Sequence, residues 1–345
     1  MAQLLQGPRP FGGAVMTGSV PRDQTPFSHR TVLLDRVLEL LAPVPPGTIV
    51  DATLGGAGHA AALLEARTDI SVLGLDQDPH ALAAAQTRLA PFGDRVTALH
   101  ARFDRLAEVV AAAGAAIQPI VGVLFDLGVS SPQFDRADRG FSYRLDGPID
   151  MRMDPTEGQT AADLVNELDE RDLAEVLRRN GDERFASRIA RAVVANRPLT
   201  STVQLAEVVR DAIPAAARRH GGHPAKRTFQ ALRIEVNQEL HVLRAALDQA
   251  VAVVSPGGRI LAISFHSGED RIVKARFRQA ETGGCTCPAG LPCVCGAVVE
   301  ARLLRRGGWT PTPEELAANP RSASARLRAI EKLPARPLRT IQDEP

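Results

Sequence analysis

The chain has 345 residues, 44% of them hydrophobic, which suffices for a buried core and suggests two domains. Aromatic residues are only 4%, so that core has to be aliphatic; the formal net charge of +1 excludes a protein that is basic throughout, as many nucleic-acid binders are. The charge is unevenly placed, however: residues 178–233 hold twelve Arg or Lys against four Asp or Glu, and residues 302–339 are basic as well. Such a cluster is either a set of solvated helix faces or a local electrostatic footprint for an anionic partner.

Residues 1–27, rich in Gly, Pro, Gln and Thr and without a period, predict a disordered tail. From Thr31 to Leu41 apolar residues fall at helical spacing, and Pro43, Pro45 and Pro46 end that helix. Short apolar runs at 48–51, 70–76, 96–100 and 120–126 then alternate with helical patterns at 58–67, 79–90 and 103–113. That alternation implies a parallel sheet covered on both faces, with right-handed crossovers and ligands at the carboxyl ends of the strands.

After Ser131-Pro132 the rhythm breaks. Residues 137–236 show helical patterns at 169–179, 184–194, 203–212 and 228–236 and no convincing strand. A long helix over 237–254 leads back to a strand at 259–265. The expected fold is therefore α/β, a Rossmann-like sheet built from 28–136 and 237–330. An all-helical domain, 137–236, is inserted in it, and 331–345 form a flexible tail. No apolar run approaches the ~18 residues of a membrane helix. The first residues lack the basic and apolar regions of a secretory signal, so a cytoplasmic protein that spans no membrane is expected.

Three features recur at the strand ends. The glycine-rich turn Asp51-Ala-Thr-Leu-Gly-Gly-Ala-Gly58-His59 joins a strand to a helix. Glycine lets a ligand touch the backbone, and the helix start presents unpaired amides. The turn is not Gly-x-x-x-x-Gly-Lys-Ser, which excludes a P-loop, and it is not a clean Gly-x-Gly-x-x-Gly, which weakens a dinucleotide reading. Asp76 ends the second strand, where a carboxylate can accept both ribose hydroxyls, while Asp78, just before Pro79, suits a helix cap. Asp126 ends the fourth strand and leads into Leu-Gly-Val-Ser-Ser131-Pro132-Gln133.

Together these point to a nucleoside cofactor. A base amine is a poor nucleophile because its lone pair is delocalised into the ring. An acceptor aimed at the amine hydrogens opposes that delocalisation. Asp126, Ser131 and Pro132 place a carboxylate, a hydroxyl and turn carbonyls for this purpose, and no Pro-Cys nucleophile is present for attack on a pyrimidine ring. Amine methylation is thus favoured over carbon methylation. A nucleotide-dependent oxidoreductase, and an RNA-binding module with a vestigial cofactor site, remain as other readings.

These stretches, with His29-Arg-Thr-Val-Leu-Leu, Arg139-Gly-Phe-Ser142, Asp150-Met-Arg-Met-Asp-Pro155, Arg227-Thr-Phe-Gln-Ala231, Ile263-Ser-Phe-His-Ser267 and Glu269-Asp-Arg271, resemble the RsmH (MraW) family of 16S ribosomal RNA cytosine-N4 methyltransferases over about residues 28–330. The resemblance implies S-adenosyl-L-methionine as cofactor and the small ribosomal subunit as partner. It implies cofactor contacts at Ala57, Gly58, His59, Asp76, Phe103, Asp126 and Gln133. Ala57 stands where the family often has glycine, and a methyl group is tolerated there if φ is negative.

On the substrate side, Lys226, Arg227 and Arg233 in the insert are candidates to hold RNA phosphates, which position without reading sequence. His266, after the strand that follows the insert, is a candidate general base. Cys285-x-Cys287 and Cys293-x-Cys295 form a cluster suited to a structural metal clip, zinc by preference, although Cys-x-Cys is tighter than the usual knuckle.

Overall fold

The computed structural model describes residues 31–114, 117–218, 222–288 and 293–337. The expected tail 1–27, His29 and Arg30 lie outside the described residues. The short apolar runs do become strands: β1 (Gly47–Asp51), β2 (Ile70–Asp76), β3 (Val96–His100), β4 (Ile120–Asp126) and β5 (Arg259–Ser264), joined by β6 (Val298–Leu303) and β7 (Arg326–Pro337). Their order in the sheet is β3-β2-β1-β4-β5-β7-β6. The chain enters at β1, builds outward to β3, then returns to add β4 and β5 on the other side. The switch point between β1 and β4 is where ligands bind in such sheets.

The sheet is mixed, not wholly parallel: β7 runs antiparallel to both β5 and β6. The sequence hides this strand because arginines interrupt its apolar run. Leu327, Ala329 and Ile330 are buried, and so is Arg328, which donates to Asp270. The expected flexible tail is accordingly wrong for 331–337. Lys332 exchanges backbone hydrogen bonds with Gly257 and Gly258, and Glu331 accepts from Arg259 and Arg302.

Helices α1 (Leu34–Leu41), α2 (Gly58–Ala66), α3 (Pro79–Leu89) and α4 (Leu106–Ala113) flank the first strands, with Phe103–Arg105 forming a 3₁₀ turn before α4. The helical region holds α5 (Ser131–Asp135), α6 (Ala161–Glu167), α7 (Glu170–Gly181), α8 (Ala186–Ala195), α9 (Thr202–Ala212), α10 (Ala215–Arg218) and α11 (Lys226–Val236). Then come α12 (Glu239–Val253), α13 (Ser267–Thr282) and α14 (Pro313–Ala318). Side chains of Thr160, Asp169 and Ser201 cap α6, α7 and α9; such a cap contributes about 1 kcal/mol.

The helical region buries a core of its own, including Phe141, Met151, Leu173, Ile189, Leu205 and Phe229. The sheet packs Phe125, Leu247 and Phe277 on one face and Leu41, Ile49 and Ile263 on the other. Among the described residues, no helix is long and apolar enough to cross a membrane.

Candidate active site

The turn after β1 is shaped by close approach. A Cβ on Gly58 would stand 2.1 Å from Thr31 Oγ1, so only hydrogen fits where the segment before α1 crosses the start of α2. His59, buried beside it, has Nε2 3.0 Å from the Val32 carbonyl and Nδ1 3.7 Å from Asp126 Oδ2. Ala57 has φ +58°, so the condition of a negative φ is not met. A left-handed alanine carries about 1–2 kcal/mol of strain. Its side chain is fully buried against Leu54, Ala60 and Leu64, which places packing against that strain.

Asp76 ends β2 as expected and holds the turn together. Its Oδ2 accepts from Gly55 N at 2.7 Å and its Oδ1 from Asp78 N at 2.8 Å. Each oxygen keeps a second lone pair, so the carboxylate can still accept a ribose hydroxyl. Asp78 caps α3 by accepting from His80 N at 2.9 Å. It also receives Arg139 Nη1 at 2.7 Å and Gln133 Nε2 at 2.8 Å, all three side chains being buried. Burial pushes the Asp78 carboxyl up, but Arg139 and Gln133 outweigh it and hold it below the usual range. Arg139 donates as well to the carbonyls of Arg152 and Met153, at 2.9 Å each. The Asp150-to-Pro155 stretch is thus a strap seated on Arg139.

Asp126, at the switch point, is built in the opposite way. Its Oδ1 is buried and has no hydrogen-bond partner among the described residues. Burial, followed by the neighbouring carboxylates of Asp51 and Glu269, pushes its pKa to about 8. Asp51, at the end of β1, rises to about 7 through burial, with Asp76 adding to the push and the Thr53 N–H opposing it. The backbone of Asp126 is pinned, its N–H donating to Thr53 Oγ1 at 2.6 Å. Phe103 meets Phe125 edge to face at 6.0 Å between centroids, with part of its surface still exposed. Ser131 and Pro132 begin the short helix α5 and do not form an irregular loop. Gln133 turns its Oε1 back to Ser130 N at 2.9 Å.

Residues 26–333 match the MraW methylase family. The chain belongs to that family. Among its relatives is the ribosomal RNA small subunit methyltransferase H of Heliobacterium modesticaldum, 51% identical over 312 residues, which are 89% of this chain and 99% of that protein. The protein of the same name from Acidothermus cellulolyticus is 54% identical over 312 residues, covering 88% and 94%. That of Symbiobacterium thermophilum is 52% identical over 315 residues, covering 90% and 98%.

In this MraW methylase, a cleft of about 300 Å³ lies between the end of α7 and the start of α11 on one side and the start of α13 on the other. Arg179, Lys226, Arg227 and Arg271 line it, beside His266. Lys226 and Arg227 thus stand at this cleft, with Arg227 Nη1 donating to the Asp182 carbonyl at 3.0 Å. Arg233 does not line it: it forms a largely buried two-fold pair with Glu239, Nε to Oε1 at 2.7 Å and Nη2 to Oε2 at 2.8 Å. His266 serves as the N-cap of α13. Its Nδ1 accepts from Gly268 N at 3.2 Å and its Nε2 lies 3.2 Å from Glu269 Oε1. A neutral imidazole has one acceptor nitrogen, and the cap uses it, so the ring is not poised as a general base. Sequence reasoning missed roles for Asp51, Arg139 and Arg271, although all three sit in stretches it singled out.

Proposed function

We propose that this protein transfers a methyl group from S-adenosyl-L-methionine to the exocyclic N4 amine of a cytosine in the decoding region of 16S ribosomal RNA. The observation that carries the reaction is Asp126: a buried carboxylate oxygen without a partner, at the switch point of a methylase sheet. The small-subunit target rests on the names of relatives at 51–54% identity over nearly their whole length. Ala57, Gly58, His59, Asp76, Phe103 and Gln133 surround the donor, with Asp76 taking the ribose hydroxyls. The donor supplies an electrophilic methyl on a sulfonium centre.

Asp126, as carboxylate, accepts a hydrogen of the target amine and keeps its lone pair available. As the nitrogen–carbon bond forms and the carbon–sulfur pair leaves with sulfur, the amine becomes acidic and Asp126 takes the proton. A pKa near the working pH suits an acceptor of this kind. Ser131 and Pro132 set the backbone beside the target amine. Residues 137–236 form an RNA-facing domain, and Lys226, Arg227 and Arg271 hold phosphates while the base is drawn out of its stack. The site of action is the cytoplasm, where small subunits are assembled.

The test is transfer of labelled methyl from S-adenosyl-L-methionine to small subunits from cells lacking this enzyme, followed by nucleoside analysis. Label in N4-methylated cytidine is expected. No label in subunits or RNA, from folded protein that binds the cofactor, would overturn the ribosomal assignment.

A further inference from the structure

The fold places one chemically distinctive cluster far from the methyl-transfer site. α13 ends at Gly283, whose φ of +62° is left-handed, and a Cβ there would stand 2.5 Å from the Val298 carbonyl oxygen. The end of α13 and the first residue of β6 are thus in contact. Among the described residues between them, Cys293 and Ala297 are buried, but Val294 is 75% exposed. This segment carries Cys285, Cys287, Cys293 and Cys295, and none of them is in a disulfide.

The four sulfur atoms converge, each within 4.8 Å of the others. Cys285 Sγ lies 3.6 Å from Cys293 Sγ, and Cys293 Sγ lies 3.4 Å from Cys295 Sγ. Four thiolates about 2.3 Å from a central zinc form a tetrahedron with edges of about 3.8 Å, so the spacing fits a closed tetrathiolate site. It is too wide for disulfides, whose sulfurs stand about 2.05 Å apart. The Val294 N–H reaches Cys287 Sγ at 3.4 Å, an amide donor placed to support a thiolate. Cys-x-Cys at both ends is tighter than the common knuckle, and the convergence of the four sulfurs shows that the turn accommodates it.

We propose that Cys285, Cys287, Cys293 and Cys295 bind one zinc ion in a structural site that clamps the loop between α13 and β6. The binding energy of the metal would add to the stability of this part of the fold. α13 has 16 residues and so spans ~24 Å. The site therefore fixes the far end of the helix whose first turn lines the basic cleft, and it takes no part in methyl transfer.

The experiment uses the full chain, purified without an affinity tag that binds metal and kept under a reducing atmosphere. About one equivalent of zinc per chain is expected, released by a thiol-modifying reagent. Cobalt(II) added to the metal-depleted protein should give the intense visible bands of a tetrahedral thiolate complex. Cys295→Ser, at the exposed corner, should lose that spectrum, and Cys285→Ser gives a second reading should one variant fold poorly. Less than about a tenth of an equivalent of zinc, far below the single stoichiometric ion of a structural site, with four titratable thiols and no cobalt spectrum, would overturn the proposal. So would a pair of disulfides in protein never exposed to oxidant.

Discussion

Two carboxylates, at the ends of neighbouring regions of one sheet, receive opposite treatment. Beyond β2, Asp78 is enclosed by donors: Arg139, Gln133 and the His80 N–H. At the end of β4, Asp126 has one buried oxygen with no partner among the described residues, His59 Nδ1 3.7 Å from the other, and the carboxylates of Asp51 and Glu269 nearby. Burying a charge is costly unless it is paired, so the first arrangement is a stable joint and the second is a strained one. The difference separates architecture from chemistry: Asp78 holds the start of the helical region to the cofactor strand, and Asp126 is left for a ligand.

Breaking the joint should give the largest effect. Asp78→Ala leaves Arg139 buried without its partner and should lower unfolding free energy by about 3–5 kcal/mol, read by urea denaturation. A loss below about 1 kcal/mol, the scale of an exposed pair, would remove Asp78 from this role. Arg233→Ala, breaking the buried pair with Glu239, should act in the same way and leave the salt dependence of RNA binding unchanged. In Lys226→Ala, by contrast, the salt dependence of RNA affinity should weaken by about one counterion with the fold intact.

The strained region should announce itself through pH. Asp126 works as a carboxylate, and its pKa stands at about 8, so kcat/KM should fall as pH drops through that value, by about tenfold per unit below it. Stability moves the other way. The folded state holds a proton that the unfolded chain, with an ordinary value of 3.8, gives up. The contribution of Asp126 to stability is therefore greatest at low pH and declines as pH rises from the unfolded value toward about 8. A flat kcat/KM between pH 6 and 9, roughly the window in which such an acceptor titrates, would contradict this assignment. The smallest effect belongs to the glycine turn: Ala57→Gly should relieve left-handed strain and stabilise by about 0.5–1 kcal/mol, less whatever packing its methyl contributes.

The central strands were legible because β1, β2, β4 and β5 are buried on both faces and read as unbroken apolar runs. Their final carboxylates, Asp76 and Asp126, stood out for the same reason. β7 was not legible, since its alternating arginines look like a basic tail until Ile260 and Ile263 of β5 are set against it. Arg139 was hidden by distance: its partner is 61 residues away, and no periodicity links the two. Arg233 misled because its count in a basic run is visible and its partner is not. Glu239 lies six residues on, past a left-handed Gln238 that turns the chain between α11 and α12.

The proposed chemistry centres on Asp126, and the decisive measurement is single-turnover methyl transfer by Asp126→Asn, with melting temperature and cofactor binding measured on the same sample. Asparagine keeps the shape, removes the buried charge and cannot take the amine proton. The predicted result is transfer slowed by about 10²–10³, in a protein that binds the cofactor and, at pH 8, melts no lower than wild type. Transfer within about threefold of wild type, well short of the loss a missing transition-state partner produces, would contradict it.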